Sequence, residues 1–187
     1  VIGGQLSCEG GKFENPGGYA LCCDRMQVTG SAFLRNGFQA QGEVRLLGAE
    51  IGGNLECDGG GLENQKGYSL SCDSINVKRN LFLRSGFKAN GEVCLLGSEI
   101  GGQLDCEGGN FENKDGTALN CNQMHVVGGV FLHNGFKAQG EVRLLGSQIG
   151  GLLSCMRGTF ENPEGDALSC DSMSVDAAVF LRNGFKV

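Results

Sequence analysis

Ten cysteines give this chain of 187 residues its most reactive side chains, able to ligate a metal, act as nucleophiles or pair as disulfides. Eight of them fall in two series, Cys8, Cys57, Cys106, Cys155 and Cys23, Cys72, Cys121, Cys170, each recurring at a period of 49. Zinc sites bring thiolates together with about two to four residues between them. Here neighbouring members of the two series, such as Cys8 and Cys23, are much further apart and no Cys-x-x-Cys occurs, so the spacing argues against a cluster. Each of the eight occupies a slot that leucine fills in neighbouring units, which makes them core residues acting as small hydrophobes; disulfides across the core are the second possibility. Cys22 and Cys94 stand outside both series, where other copies carry Ser71 and Arg45. Read as outward-facing, they are the candidate exposed thiols.

Other chemistry is sparse. The two histidines, His125 and His133, replace Asn76 and Arg84 of another copy, so no histidine site recurs. Asp58-Gly59-Gly60-Gly61 becomes Glu107-Gly108-Gly109-Asn110 in the next copy, which is not the tandem pattern of calcium-binding nonapeptides. No nucleophile elbow, zinc-protease helix or phosphate-cradling loop is spelled out, and acids such as Glu161 and Asp166 read as turn residues. Catalytic, cofactor-binding and metal-ligating residues are therefore all assigned as none, and the expectation is a protein that is not an enzyme and needs no cofactor.

The elements that carry these residues follow from a repeat. Ile2-Gly3-Gly4 returns at Ile51, Ile100 and Ile149, and Gly42-Glu43-Val44-Arg45-Leu46-Leu47-Gly48 returns at Gly91 and Gly140, always at a period of 49. The chain divides into 2–50, 51–99, 100–148 and 149–187 within one domain, 1–187. Inside a block an alternating apolar pattern recurs four times, beginning at Val44, Leu55, Leu70 and Leu81, with one long step, Leu55 to Leu70, among shorter ones. Such alternation is the period of a strand with one buried face, and glycine or Asn-Gly pairs supply the corners. With 34 glycines among 187 residues, against a usual share of about 7 per cent, a helical bundle is excluded. Four units divide evenly into coils of two, so the expected fold is all-β: a right-handed parallel β-helix (solenoid) with about 24–25 residues per coil and roughly seven to eight coils.

Two-unit coils predict columns of side chains along the rod. One would run Glu14, Gln39, Glu63, Lys88, Glu112, Lys137, Glu161, Lys186, acid against base on successive coils. A second carries Ser7, Phe33, Glu56, Phe82, Asp105, Phe131, Ser154 and Phe180. Its four phenylalanines, Phe33, Phe82, Phe131 and Phe180, either fold under a neighbouring loop, or point inward on a locally turned strand, or form an apolar contact face for another solenoid or partner; the sequence fits each placement. Regular threonine rows of the kind found on ice-binding solenoids do not occur, since only Thr29, Thr117 and Thr159 are present.

The Ile-Gly-Gly-x-Leu-x-Cys, Phe-Glu-Asn and Gly-Glu-Val-Arg-Leu-Leu-Gly blocks resemble bacterial tandem-repeat β-solenoid proteins along the whole chain, distantly similar in style to pentapeptide-repeat proteins. That resemblance implies a rod that acts through its surface, and some pentapeptide-repeat rods mimic DNA and bind topoisomerases. Here the step is longer than the five-residue unit of that family, and the net charge of −6 mixes 21 acids with 15 bases. The expected function is a non-enzymatic structural or protein-interaction scaffold, which becomes a filament former if it self-associates end to end or belongs to a longer array. Its partner is then a protein or another copy of itself, with no direct nucleic-acid binding and no membrane span. A DNA-mimic binder of a nucleic-acid enzyme and a carbohydrate-active β-helix enzyme are the alternatives. The chain opens and closes in mid-motif without an initiator methionine, as a fragment of a longer array would, and reduced core thiols would point to the cell interior.

Overall fold

Frequent corners leave no run long enough for a helix, and the apolar residues between corners alternate with polar ones, so each segment extends and buries one face. In the computed structural model, which describes all 187 residues, these segments are strands and no helix forms. They build three parallel sheets of eight, eight and seven strands, a β-solenoid of about seven turns. No helix is long and apolar enough to cross a membrane.

Leu6 pairs with Ala32 and Ala32 with Leu55, so a longer coil is followed by a shorter one and the two together complete one repeat. The expected coil length is therefore the mean of two unequal coils. The winding differs from expectation in having three walls per coil rather than two. The reason is local: Ile51 lies past the corner at Gly48, where φ is +59°, and starts a sheet of its own.

The first wall is made of two-residue strands such as Ala32–Phe33 and Leu55–Glu56 and can be called the phenylalanine wall. The second is the long-strand wall, in which Lys12–Cys22, Gly61–Ser71 and Asn110–Asn120 alternate with the shorter Gln39–Arg45, Lys88–Cys94 and Lys137–Arg143. The third, with strands such as Glu50–Ile51 and Asn76–Val77, is the isoleucine wall.

Inside the coil, large residues of one turn lie on small residues of the next. The Leu34 N–H donates to Glu56 O and the Cys57 N–H to Phe82 O, which stacks Leu34, Cys57, Leu83 and Cys106 in one file, all 2 % exposed or less. Leu46, Cys72, Leu95 and Cys121 form a second such file. On the long-strand wall Phe111 lies in register between Ala89 and Ala138. Phe87, Phe111, Phe136, Phe160 and Phe185 zigzag along one corner with ring centroids 5.0 to 5.5 Å apart. Leu62 takes the place of a phenylalanine in the second repeat.

Because the files fit only in alternation, substitutions on either side of the fit destabilise. Leu83→Ala is expected to cost about 2–5 kcal/mol through the cavity it leaves. Cys106→Leu should cost about 1–3 kcal/mol through overpacking against leucine neighbours. Urea unfolding followed by far-ultraviolet circular dichroism measures both.

Candidate functional site

The phenylalanine wall has the register that the sequence predicts: Phe33 pairs with Ser7 and Glu56, Phe82 with Glu56 and Asp105, Phe131 with Asp105 and Ser154, and Phe180 with Ser154. All four rings point outward, but they are not a bare apolar stripe. The chain places a basic side chain two residues after each ring, on the same face. Arg35 lies over Phe33 at 4.3 Å, Arg84 over Phe82 at 3.9 Å and Arg182 over Phe180 at 4.3 Å from guanidinium carbon to ring centroid. His133 takes this place beside Phe131, with ring centroids 5.2 Å apart. Phe82 is left 8 % exposed.

Arg35 and Arg84 are held in turn by acids of the coils before and after them. Arg35 Nε meets Glu9 Oε1 at 2.5 Å while its Nη1 meets Glu56. Arg84 meets Asp58 at 3.2 Å and Asp105 at 2.9 Å. This wall is thus a checkerboard of acid and guanidinium with aromatic rings beneath it, stabilised by cation–π attraction and by ion pairs across coils.

The acid–base column expected on the long-strand wall is displaced by two residues on alternate coils. Glu14 pairs with Gln41 rather than Gln39, and Glu63 with Asn90 rather than Lys88. The column therefore alternates acid with amide: Glu14, Gln41, Glu63, Asn90, Glu112, Gln139, Glu161. Amide donors relieve the repulsion, as where Asn90 donates to Glu63 and Gln139 to Glu161, each at 3.3 Å. The lysines Lys88, Lys137 and Lys186 belong to the adjacent column with Asn110 and Thr159. What fixes this register is the inward file of Phe13, Ala40, Leu62 and Ala89, which must stay aligned.

On the same wall the ladder breaks after Glu14, Glu63 and Glu112 of the long strands. The released residues form fingers that project from alternate coils. Each is closed by an asparagine that donates to the backbone oxygen four residues on: Asn15 to Tyr19, Asn64 to Tyr68, Asn113 to Thr117 and Asn162 to Asp166, at 2.8 to 3.0 Å. The coil between two fingers passes beneath with Gly91 at φ +119°, where a Cβ would come within 2.3 Å of Asn64 O. Finger tips differ from copy to copy, reading Pro16-Gly17, Gln65-Lys66, Lys114-Asp115 and Pro163-Glu164. Polar grooves separate them; the one between the second and third fingers, about 380 Å³, is lined by Lys66, Asn90, Glu112 and Asp115. The signal for the fingers in the sequence is the single long step from Leu55 to Leu70 among shorter ones.

All ten thiols are free. Cys57, Cys72, Cys106, Cys121 and Cys155 are buried, and burial pushes each thiol up. Cys8, Cys23 and Cys170, in the end coils, are half-buried. Of the two cysteines expected at the surface, Cys22 is exposed. Cys94 is corrected: it is 3 % exposed. It lies in register between Ser71 and Asn120, on the same wall as Glu92 and near Asp73. Burial first, and then the neighbouring Asp73 carboxylate, push this thiol up to about 12. At the equivalent place in the first repeat, Arg45 reaches Asp24 at 2.8 Å and the Tyr19 hydroxyl at 2.8 Å. With cysteine there, Asp73 Oδ1 is buried without a partner.

The two histidines are far apart in role. His125 is exposed on the isoleucine wall, in register between Glu99 and Gln148. His133 is in the checkerboard, with Asp105 and Glu107 of the preceding coil close by. Comparison of the chain with protein-family models, with curated proteins and with solved structures gives no match.

Two outcomes follow for the thiols. At pH 8 an aromatic disulfide reagent should find a single fast thiol in the native protein; Cys22→Ser should remove the fast phase and Cys94→Ser leave it intact. The second concerns alkaline stability. Unfolded thiols ionise near about pH 8.5, whereas the buried ones stay protonated to higher pH. The unfolded chain therefore holds fewer protons above that pH, and stability should fall steadily as pH rises from about 9 toward 12. Urea midpoints measured across that range, with thiols kept reduced, report the slope.

Proposed function

We propose that this chain is a structural scaffold, a stiff rod that holds an array of surface fingers at fixed spacing for a protein partner and extends by coil addition at its ends. The observation that carries this proposal is that many of the rod's ionisable side chains are used on the rod itself. Arg35 and Arg84 each bridge two coils, Glu43 and Glu141 accept hydrogen bonds from Ser71 and Ser169, and Glu63 and Glu161 accept from amides. Acids held this way act as struts between coils. A DNA mimic would need an unbroken negative wall, and here Lys88 and Lys137 run beside Glu63 and Glu112.

The fingers supply the variable part of such a scaffold. In repeat proteins the segments that differ between repeats gather on one face, which is often the binding face. The asparagine clamp closes the base of each finger whatever its tip contains, so tips can change without disturbing the core. End addition would use the same parallel backbone pairing that already joins each coil to the next on all three walls.

Negative-stain microscopy and multi-angle light scattering over a range of concentrations test the extension. Rods in multiples of one unit, about 34 Å for seven turns at ~4.8 Å each, are expected at high concentration. A uniform monomer at millimolar concentration would remove end addition. Replacing Lys114-Asp115 by Pro-Gly, the tip of the first finger, should leave stability in urea within about 0.5 kcal/mol of the parent; a larger loss would mean that the fingers are part of the core.

A further inference from the structure

The checkerboard on the phenylalanine wall is altered in one place. At the position of Arg35 and Arg84 the third repeat has His133, and in the following coil Ser154 and Met156 stand where the coil after Arg84 has Asp105 and Glu107. His133 is therefore left with the acids of the preceding coil only. Asp105 is 5 % exposed and held in place from two sides: Oδ2 accepts from Arg84 Nη1 at 2.9 Å and Oδ1 from the Glu107 backbone N–H at 3.0 Å. Glu107 Oε1 accepts from the Asn134 amide at 3.0 Å. Its Oε2 is 3.9 Å from His133 Nε2, too far for a hydrogen bond. On the other side of the imidazole, Nδ1 is 3.4 Å from Ser154 Oγ. One atom from each of Asp105, Glu107 and His133 lies within 4.8 Å of the other two.

We infer that Asp105, Glu107 and His133 form a binding site for a divalent first-row transition-metal cation of the zinc or cobalt type. One imidazole and two carboxylates are a donor set for such ions, and three protein ligands leave a coordination position for water. Ser154 supplies the outer contact: with the Nδ1–H turned to its hydroxyl, the Nε2 lone pair faces Glu107. The replacement of arginine takes a fixed positive charge away from Glu107, and a bound cation restores it. Arg84 also lies on Asp105 and balances that carboxylate's charge, so the cation is held chiefly by Glu107 and His133, with Asp105 bridging cation and guanidinium. Two ligands at about 2.0–2.1 Å from zinc stand roughly 3.3 Å apart at a tetrahedral angle. The site thus closes with a small inward movement, which the 48 % exposed side chain of Glu107 can make.

The test is a cobalt(II) titration of the full chain carrying Cys22→Ser, so that the exposed thiol does not compete. One equivalent should bind with the visible spectrum of nitrogen and oxygen ligands. His133→Arg places in the third repeat the residue that the first two already carry, and it should weaken binding by more than about tenfold with the circular dichroism spectrum unchanged. Glu107→Gln, on an exposed side chain, should do the same. Failure to take up cobalt in a saturable way would overturn the proposal. So would binding that survives His133→Arg, or a thiolate charge-transfer band that grows with cobalt.

Discussion

Packing of large side chains against small ones between consecutive coils is the constraint on which the rest of the rod depends. Leu34, Leu83 and Leu132 lie next to cysteines, and phenylalanines such as Phe111 lie between alanines. A coil cannot stack on a copy of its own kind without leaving cavities in one file and overlap in another. This is why the repeat spans two coils, Leu6 to Leu55, when either coil alone would complete the winding. Cysteine is present in such number because a residue smaller than leucine, yet apolar, is needed opposite each leucine. The same constraint sets the outer surface: once the inward files are aligned, every outward residue has its neighbours chosen for it.

Much of this was legible in the sequence. A period without a slip, alternation within short segments and corners rich in glycine lead to a parallel solenoid and to its mean coil length. The outward file of Phe33, Phe82, Phe131 and Phe180 was also legible, because its members keep the same offset from the core leucines in both kinds of coil. The acid column was not, since the longer coils, such as the one from Leu6 to Ala32, place their extra residues on the long-strand wall, so counting by average length drifts there. The number of walls was missed for a related reason. Alternation reports which way a side chain points within a segment and is silent about the angle between segments. The cation cover over the phenylalanines could have been found, because Arg35, Arg84 and Arg182 each follow a ring by two residues, the spacing that puts both on one face.

Departures from the repeat carry the local chemistry. In a regular array a charged residue has its partner supplied by the neighbouring coil, and replacing one partner strands the other. Where Cys94 replaces arginine, Asp73 has no guanidinium beside it and one of its oxygens is buried without a partner, and the thiol is held protonated by burial and by that same carboxyl. His133 in place of arginine leaves Glu107 without its guanidinium. Both positions lie in the middle of the rod, where neither an end nor a loop explains them. Cys94 was misread as a surface thiol because outward direction was equated with exposure, whereas on a wall of closely stacked strands an outward side chain as small as cysteine is covered by longer ones beside it.

The backbone hydrogen bonds of all three walls run from one coil to the next, so they lie along the rod while the covalent chain circles around it. Lengthwise tension is therefore resisted by non-covalent bonds alone, and torsion by the chain itself. Since only two kinds of coil alternate, every junction between coils sets a leucine-bearing face against a cysteine-bearing one. Rods meeting end to end therefore match only in steps of one full repeat, which preserves the phase of everything displayed on the outside.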